Sequence, residues 1–98
     1  MAYAVRILDD ALEQLAKVTL RDRRAIMARI GRLAADPYGP GTGALRRDLG
    51  GYRKLRVGDY RVVYEVRSDE LVVIVVTVGH RRHVYEAAAR MTARRRRT

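Results

Sequence analysis

The sequence predicts a small α+β fold: two N-terminal helices on one face of an antiparallel sheet of about four strands, followed by a C-terminal helix. Three features predict it. Gly58-Asp59 separates two alternating segments, as in a two-residue hairpin turn. Apolar side chains recur at helical spacing within residues 20–35. Residues 71–78 are apolar and rich in β-branched side chains, which is typical of a strand buried on both faces.

The N-terminal elements follow from alternation and from capping signals. Residues 3–8 alternate and are predicted to form the first strand. Asp9 or Asp10 is predicted to cap a short helix. The residues of that helix expected to face inward are Ala11, Leu12, Leu15 and Ala16. Thr19 begins a weak capping box for a second helix, because Asp22 rather than Glu stands three residues later.

The second helix is predicted to run to about residue 35, with Ile26, Ile30 and Leu33 on its inner stripe. Residues 36–43 are rich in Gly and Pro, which predicts a loop. Residues 44–49 are expected to form a short extended piece ahead of the hairpin.

The C-terminal part is predicted from composition. Residues 71–78 should form a central strand that ends at Gly79, and a helix should begin at about residue 82. Residues 94–98 are almost all Arg and are expected to be a frayed or disordered basic tail. The sequence therefore predicts a single domain over residues 1–93.

The hairpin places cations on one face of the sheet. A two-residue turn at Gly58-Asp59 sets Arg56 opposite Arg61, and Lys54 opposite Val63. Because side chains alternate along a strand, Lys54, Arg56 and Arg61 share a face, with Tyr52 and Glu65 at its far end. The paired helices are expected to cover the other face, which leaves the cationic face as an open concave surface.

Like charges directly opposite each other across two strands are unfavourable. The pairing of Arg56 with Arg61 therefore has two interpretations. The two side chains hold an anion between them, or they splay apart into water. The hairpin alone does not decide between these interpretations.

Composition limits the classes of partner and compartment. The chain has 98 residues, no Cys and a formal net charge of +10, nearly all from Arg. Such an excess favours a polyanionic partner such as nucleic acid, the ribosome or an acidic protein. The absence of Cys agrees with a cytoplasmic protein. Asp9 and Asp10 interrupt any N-terminal apolar run, so no signal peptide is expected, and no apolar run is long enough to span a membrane.

The chain resembles the RelE/ParE superfamily of type II toxin–antitoxin toxins. The resemblance rests on residues 57–66, Val-Gly-Asp-Tyr-Arg-Val-Val-Tyr-Glu-Val, on residues 75–81, Val-Val-Thr-Val-Gly-His-Arg, and on Val84-Tyr85. It extends to the opening Met-Ala-Tyr and to Leu45-Arg46. Lys54 with Arg56, Arg81 after Gly79, and Tyr85 make it more similar to the RelE branch, whose members cut mRNA on the ribosome, than to the ParE branch, whose members poison DNA gyrase.

The resemblance implies a metal-independent endoribonuclease without a cofactor, in which the 2′-hydroxyl of mRNA attacks the adjacent phosphate in the ribosomal A site. The residues that match the family's catalytic positions are Lys54, Arg61, Arg81 and Tyr85, and His83 is added as an acid–base candidate. Arg61 and Arg81 would stabilise charge, and Tyr85 would stack on a nucleobase. Arg56, Tyr52, Arg53 and Arg82 complete the expected RNA- and phosphate-binding set.

One position departs from the family pattern: the second lysine of the RelE branch is here Tyr52. The identity of the general base therefore stays undecided. Lys54 could serve if neighbouring cations favour its neutral form, and Tyr52 only if it is similarly activated. His80 and His83 are of the type that ordinarily titrates near neutral pH.

The resemblance also implies partners and alternatives. A cognate antitoxin is expected to bind the basic surface, and the resulting hetero-oligomer would bind operator DNA through the antitoxin. The ribosome and mRNA are the other expected partners, with no membrane partner. Two other functions stay open: a ParE-like gyrase inhibitor, and a catalytically degenerate protein that binds an antitoxin and regulates its own operon.

Overall fold

A computed structural model of the protein describes residues 2–96. The strands are β1 Ala4–Ile7, β2 Thr42–Ala44, β3 Tyr52–Val57, β4 Tyr60–Arg67 and β5 Val72–His80. The helices are α1 Asp9–Ala16, α2 Leu20–Arg32 and α3 Val84–Arg96, with a 3₁₀ turn at Arg47–Leu49. The longest helices within residues 2–96 have 13 residues, and none of the helices there could span a lipid bilayer.

The α+β class is confirmed, but the sheet has five strands and is mixed. The strand order is β1-β5-β4-β3-β2, with β1 parallel to β5 and the other pairs antiparallel. The expectation of about four antiparallel strands missed β2, which has only three residues and interrupts the predicted loop. As predicted, β5 is a central strand, paired with β1 on one side and β4 on the other.

The hairpin formed by β3 and β4 has the predicted register. Val57 pairs with Tyr60, Arg56 with Arg61, and Lys54 with Val63. Gly58 has φ +58, a left-handed value that its lack of a Cβ permits and that the tight turn requires. The alternation predicted for the two faces of the hairpin follows directly from this register.

The N-terminal helices are confirmed, with corrections at α1. Asp9 and Asp10 lie in its first turn, where negative charge is favourable, and the N-cap is Leu8, without a side-chain hydrogen bond. Leu12 is 48% exposed, because only one side of so short a helix reaches the sheet. Thr19 caps α2 as predicted: its hydroxyl accepts a hydrogen bond from the Asp22 backbone N–H at 3.4 Å.

Apolar side chains of α1 and α2 pack against one face of the sheet and form a first core. Its larger members are Leu15, Ile26, Ile30, Leu33, Leu55, Val62, Tyr64, Val73, Val75 and Val78. The Tyr64 hydroxyl donates a hydrogen bond to the Pro37 carbonyl at 2.5 Å, which ties the loop after α2 to this core.

The opposite face is not open along its whole length, as the sequence had suggested. α3 packs on it and forms a second core. The buried residues of this core are Leu49, Tyr52, Val63, Ile74, Val76, Val84, Ala88 and Met91. The apolar residues that β5 presents to this side require a cover, and α3 supplies it. The cationic residues of the hairpin are left beside α3.

The segment from 44 to 49 is extended only in its first half, at Ala44 and Arg46. After β2 ends at Ala44, the chain forms the 3₁₀ turn, and Arg47 has φ +57. The turn brings Leu49 into the second core, which explains why the chain bends there.

Arg94, Arg95 and Arg96 are not the disordered tail that their composition predicts. They form the last turn of α3, where positive charge complements the helix dipole, and each contacts another element. Residues 97 and 98 lie outside the described residues.

Candidate functional site

Lys54, Arg56 and Arg61 lie on one face of the β3–β4 hairpin, as predicted, and are called here the cationic cluster. Lys54 and Arg56 are exposed, and Arg61 is half-buried. Lys54 extends along Gly43 of the edge strand β2, so that a Cβ at Gly43 would lie 3.5 Å from Lys54 Cε. The two arginines stand directly opposite each other in the ladder.

The guanidinium of Arg61 is held by the hairpin turn. Its Nη1 donates hydrogen bonds to the carbonyls of Gly58 at 2.8 Å and Tyr60 at 2.9 Å. Its Nε and Nη2 make no hydrogen bond to any residue within 2–96. The side chain is thus fixed at one end and presents its remaining N–H donors outward, which suits a phosphate oxygen.

Arg81 is tethered to the same turn from β5. Its backbone N–H donates to the Asp59 carbonyl at 2.8 Å, and its Nε lies 3.7 Å from Asp59 Oδ1. Gly79, two residues earlier, pairs with Arg61. The structure therefore brings Arg81 to the end of the cationic cluster nearest Arg61.

Tyr85 lies in the first turn of α3, half-buried against the second core. It borders a shallow depression of about 320 Å³ between the 3₁₀ turn and α3. Arg46 and Arg47, which the sequence analysis did not select as site residues, line the same depression. An aromatic face beside cations is suited to stacking on a nucleobase.

The two histidines lie at the turn between β5 and α3. The His80 and His83 rings are 6.3 Å apart, and the Tyr60 ring meets His80 edge-on at 6.0 Å. His80 Nδ1 accepts a hydrogen bond from the Arg82 backbone at 3.2 Å, whereas His83 is exposed. His83 and the exposed Arg82 are thus near the site without being fixed in it.

Tyr52 and Arg53 are not brought into the cationic cluster. Tyr52 is only 8% exposed, and its hydroxyl accepts a hydrogen bond from Arg95 Nη1 at 3.1 Å. Arg53 points to the other face, where it donates to the Thr42 hydroxyl at 3.0 Å and stacks over the Tyr38 ring at 4.9 Å. Both side chains make their contacts with other residues of the protein.

The comparisons with known proteins identify the family of the chain. The family profile described as "ParE toxin of type II toxin-antitoxin system, parDE" matches residues 4–85. The toxin RelG of Mycobacterium tuberculosis is 33% identical over 86 residues, covering 87% of this chain and 98% of that protein. The chain belongs to the RelE/ParE toxin superfamily, in its RelE-like branch.

Two further relatives support the RelE-like assignment. A putative RelE-like toxin protein of Escherichia coli is 30% identical over 92 residues, covering 91% of this chain and 96% of that protein. The RelBE2 toxin–antitoxin complex of M. tuberculosis has a TM-score of 0.76 and 30% identity, covering 82% of this chain and 99% of that one. This RelE-like protein therefore has the fold predicted from its hairpin motif, and it is a toxin of a type II toxin–antitoxin system.

The site of this RelE-like toxin is rich in cations and poor in carboxylates. Within residues 2–96, no group of three or more His, Asp or Glu side chains could hold a metal ion. The chemistry available from the described side chains is binding and stabilisation of negative charge, together with proton transfer by Lys54 or a histidine.

Sulfate tests whether the cationic cluster holds an anion. We expect Arg56→Ala to leave the melting temperature unchanged or slightly raised at low salt, because it removes a repulsion across the ladder worth roughly 0.2–1 kcal/mol. Added sulfate should stabilise the parent more than the variant, because only the folded protein presents the anion site. The measurement is a melting series with and without sulfate, with Arg24→Ala on α2 as the control. An equal response of parent and Arg56→Ala to sulfate would favour side chains that splay into water.

Proposed function

We propose that the protein is a ribosome-dependent endoribonuclease that cleaves mRNA in the A site. The observation that carries this proposal is the placement of Arg61 and Arg81 at the same hairpin turn, with Lys54 and Arg56 on the adjoining surface. Cations fixed before the reaction stabilise a phosphorane without reorganisation, which is the main requirement of RNA cleavage by the 2′-hydroxyl.

In the proposed reaction the ribose 2′-oxygen forms a bond to the adjacent phosphorus, and the bond from phosphorus to the 5′-oxygen of the next nucleotide breaks. The products are a 2′,3′-cyclic phosphate and a free 5′-hydroxyl. A base takes the 2′-hydroxyl proton, and the leaving oxygen gains a proton. Arg61, with Arg56 beside it, would bind the equatorial phosphate oxygens, and Arg81 would stabilise the leaving oxygen.

The contacts of Tyr52 reduce the number of candidates for the general base. Its ring is buried and its hydroxyl is bonded to Arg95, so it does not reach a substrate on the cationic cluster. Lys54 and His83 are exposed on the proposed RNA-binding side and stay as candidates. Arg81 is assigned to charge stabilisation, because a guanidinium group is a poor proton donor.

A gyrase inhibitor is the second candidate, because the matching family profile carries the ParE description. A catalytically degenerate antitoxin-binding protein is the third, because Tyr52 replaces a family lysine. The discriminating experiment is to induce the protein in cells and map RNA 5′ ends. Cuts at fixed codon positions in translated messages support the proposed nuclease. Intact mRNA with DNA damage indicates gyrase, and neither effect indicates the degenerate protein.

We also propose a cognate antitoxin as partner, in the cytoplasm. The M. tuberculosis relative forms a toxin–antitoxin complex, and the +10 charge favours an acidic or amphipathic segment that folds on binding. The segment would cover the cationic cluster or displace α3, and the complex would bind operator DNA through the antitoxin. Purification from the native host should recover a small acidic protein, and a complex that leaves both regions exposed would contradict this.

Tyr85 provides a second test of RNA binding. We expect Tyr85→Ala to weaken cleavage about 5- to 150-fold, because stacking on a base is worth roughly 1–3 kcal/mol. Tyr85→Phe keeps the aromatic face and should retain most of the activity. The comparison is made on translating ribosomes with a single defined message. A large loss in Tyr85→Phe would assign the function to the hydroxyl and would rule out simple stacking.

A further inference from the structure

The last turn of α3 makes polar contacts with four other elements of the fold through three consecutive arginines. Arg94 Nη2 lies 3.1 Å from Asp10 Oδ2 on α1. Arg96 Nη2 donates to the Asp48 carbonyl of the 3₁₀ turn at 2.9 Å. Between them, Arg95 points down to the sheet. One helical turn is therefore fixed to four elements that are distant in sequence.

Arg95 makes the most buried of these contacts. Its Nη1 donates to the Tyr52 hydroxyl at 3.1 Å, and its Nη2 lies 3.3 Å from Glu65 Oε1. The Arg95 and Glu65 side chains are 24% and 25% exposed, and the guanidinium carbon lies 5.9 Å from the Tyr52 ring centre. Because these groups are partly withdrawn from water, loss of Arg95 would leave the Glu65 carboxylate and the Tyr52 hydroxyl without this donor.

α3 depends on such contacts because its own stability is low. It has 13 residues, a length at which isolated helices are marginal in water. Its buried anchors are Val84, Ala88, Met91 and Thr92, of which two are small or polar. Arg90 and Arg94 are four residues apart, and like charges at that spacing destabilise a helix. Packing on the sheet therefore needs the polar contacts at the C-terminal turn.

We propose that Arg94, Arg95 and Arg96 form a latch that seats α3 on the sheet and thereby positions Tyr85 at the depression that it shares with Arg46 and Arg47. The three arginines are positioning residues: they act through the helix and do not touch the reacting atoms. The role of Tyr85 rests on the proposed nuclease function, whereas the latch itself does not. Loosening the latch uncovers Tyr52 and the second core and leaves Tyr85 without a fixed orientation.

Hydrogen exchange measured by mass spectrometry tests the latch directly. We expect the α3 amides to exchange about 5- to 30-fold faster in Arg95→Ala. In Arg94→Ala the expected increase is about 1.5- to 5-fold, because the Asp10 pair is exposed. The α2 amides should keep their parental rates. Arg90→Ala is the matched control, since it removes an exposed arginine of the same helix for which residues 2–96 offer no hydrogen bond or ion pair. Because it also relieves the repulsion from Arg94, its α3 amides should exchange no faster than those of the parent.

Two further variants separate a latch from a general loss of folding. Arg95→Lys keeps the charge opposite Glu65 and should restore part of the protection. In the charge-swapped double variant Asp10→Arg with Arg94→Glu the α3 amides should exchange more slowly than in either single reversal, but faster than in the parent, because both reversed charges oppose a helix dipole. Equal rates in the parent, Arg94→Ala and Arg95→Ala would overturn the latch, as would an Arg90→Ala protein that exchanges as fast as Arg95→Ala.

The positioning of Tyr85 is tested by a separate measurement, the kinetics of mRNA cleavage. On translating ribosomes, Arg95→Ala should lower kcat more than it raises KM, because the orientation of Tyr85 is lost while the cationic cluster still binds, and Arg95→Lys should recover part of the rate. Faster α3 exchange with unchanged cleavage would overturn the positioning role. A parent that cleaves no message, but whose α3 responds as described, would overturn the proposed nuclease and leave the latch supported.

Discussion

Purified protein should cleave a short free RNA several orders of magnitude more slowly than the same sequence in the A site of a translating ribosome. The site supplies fixed cations at the hairpin turn, but its two exposed candidates for the base have no hydrogen-bonded partner among residues 2–96 that would hold them in line. Lys54 and His83 are both exposed, so their positions relative to a free RNA are not fixed. Alignment by the ribosome would then provide much of the rate.

The expected difference between the two cleavage rates follows from the free energy that alignment of the reacting groups contributes. Well-oriented reacting groups gain about 7–11 kcal/mol over a bimolecular encounter, which corresponds to effective molarities of roughly 10⁵–10⁸ M. The measurement compares single-turnover rates on a defined message with and without ribosomes. Arg61→Ala protein serves as the control for contaminating nuclease. Cleavage of naked RNA at the ribosomal rate would show that the protein aligns the substrate alone.

The fold was most predictable where local chemistry determines it. The Gly58-Asp59 turn fixes the pairing of Arg56 with Arg61, and a two-residue hairpin leaves no freedom in that register. The position of β1 was not predictable in this way. Its parallel pairing with β5 joins residues about 70 positions apart, and no local signal specifies such a contact.

The C-terminal arginines show how composition can mislead. Residues 94–96 resemble a solvated tail by charge alone. Their acceptors, Asp10, Glu65 and the Asp48 carbonyl, come from three separate parts of the chain, so the contacts exist only in the folded protein. The helix-forming residues from 86 to 93 were the available signal that α3 continues.

The candidate site was predictable to the extent that it lies on the hairpin. Lys54, Arg56 and Arg61 follow from strand alternation, and Arg81 is placed by the turn after β5. The burial of Tyr52 was not predictable, because it results from the packing of α3 on a face that was expected to be open. The depression beside Tyr85 likewise requires the 3₁₀ turn, which the sequence suggested as an extended piece.

Arg61→Ala should lose cleavage activity about 10²- to 10³-fold, the usual cost of removing one preorganised donor from a transition state. The guanidinium is fixed by the Gly58 and Tyr60 carbonyls, so its remaining donors need no reorganisation as charge develops on phosphorus. Arg61→Lys should recover only part of the rate, because an ammonium group is a point charge without the planar fork. Growth arrest on induction and single-turnover cleavage on ribosomes are the two measurements.

The same variant must stay folded for this result to concern catalysis. Arg61 is half-buried, and its removal loses two hydrogen bonds to the turn that lie near the surface. Its removal also relieves the repulsion from Arg56. These effects oppose each other, so the melting temperature should stay close to that of the parent and the response to sulfate should fall. Arg24→Ala on α2 is the control that should retain full activity. A strongly destabilised Arg61→Ala protein that still responds to sulfate like the parent would make Arg61 a structural residue of the turn, and the anion site would then have to be sought elsewhere on the sheet.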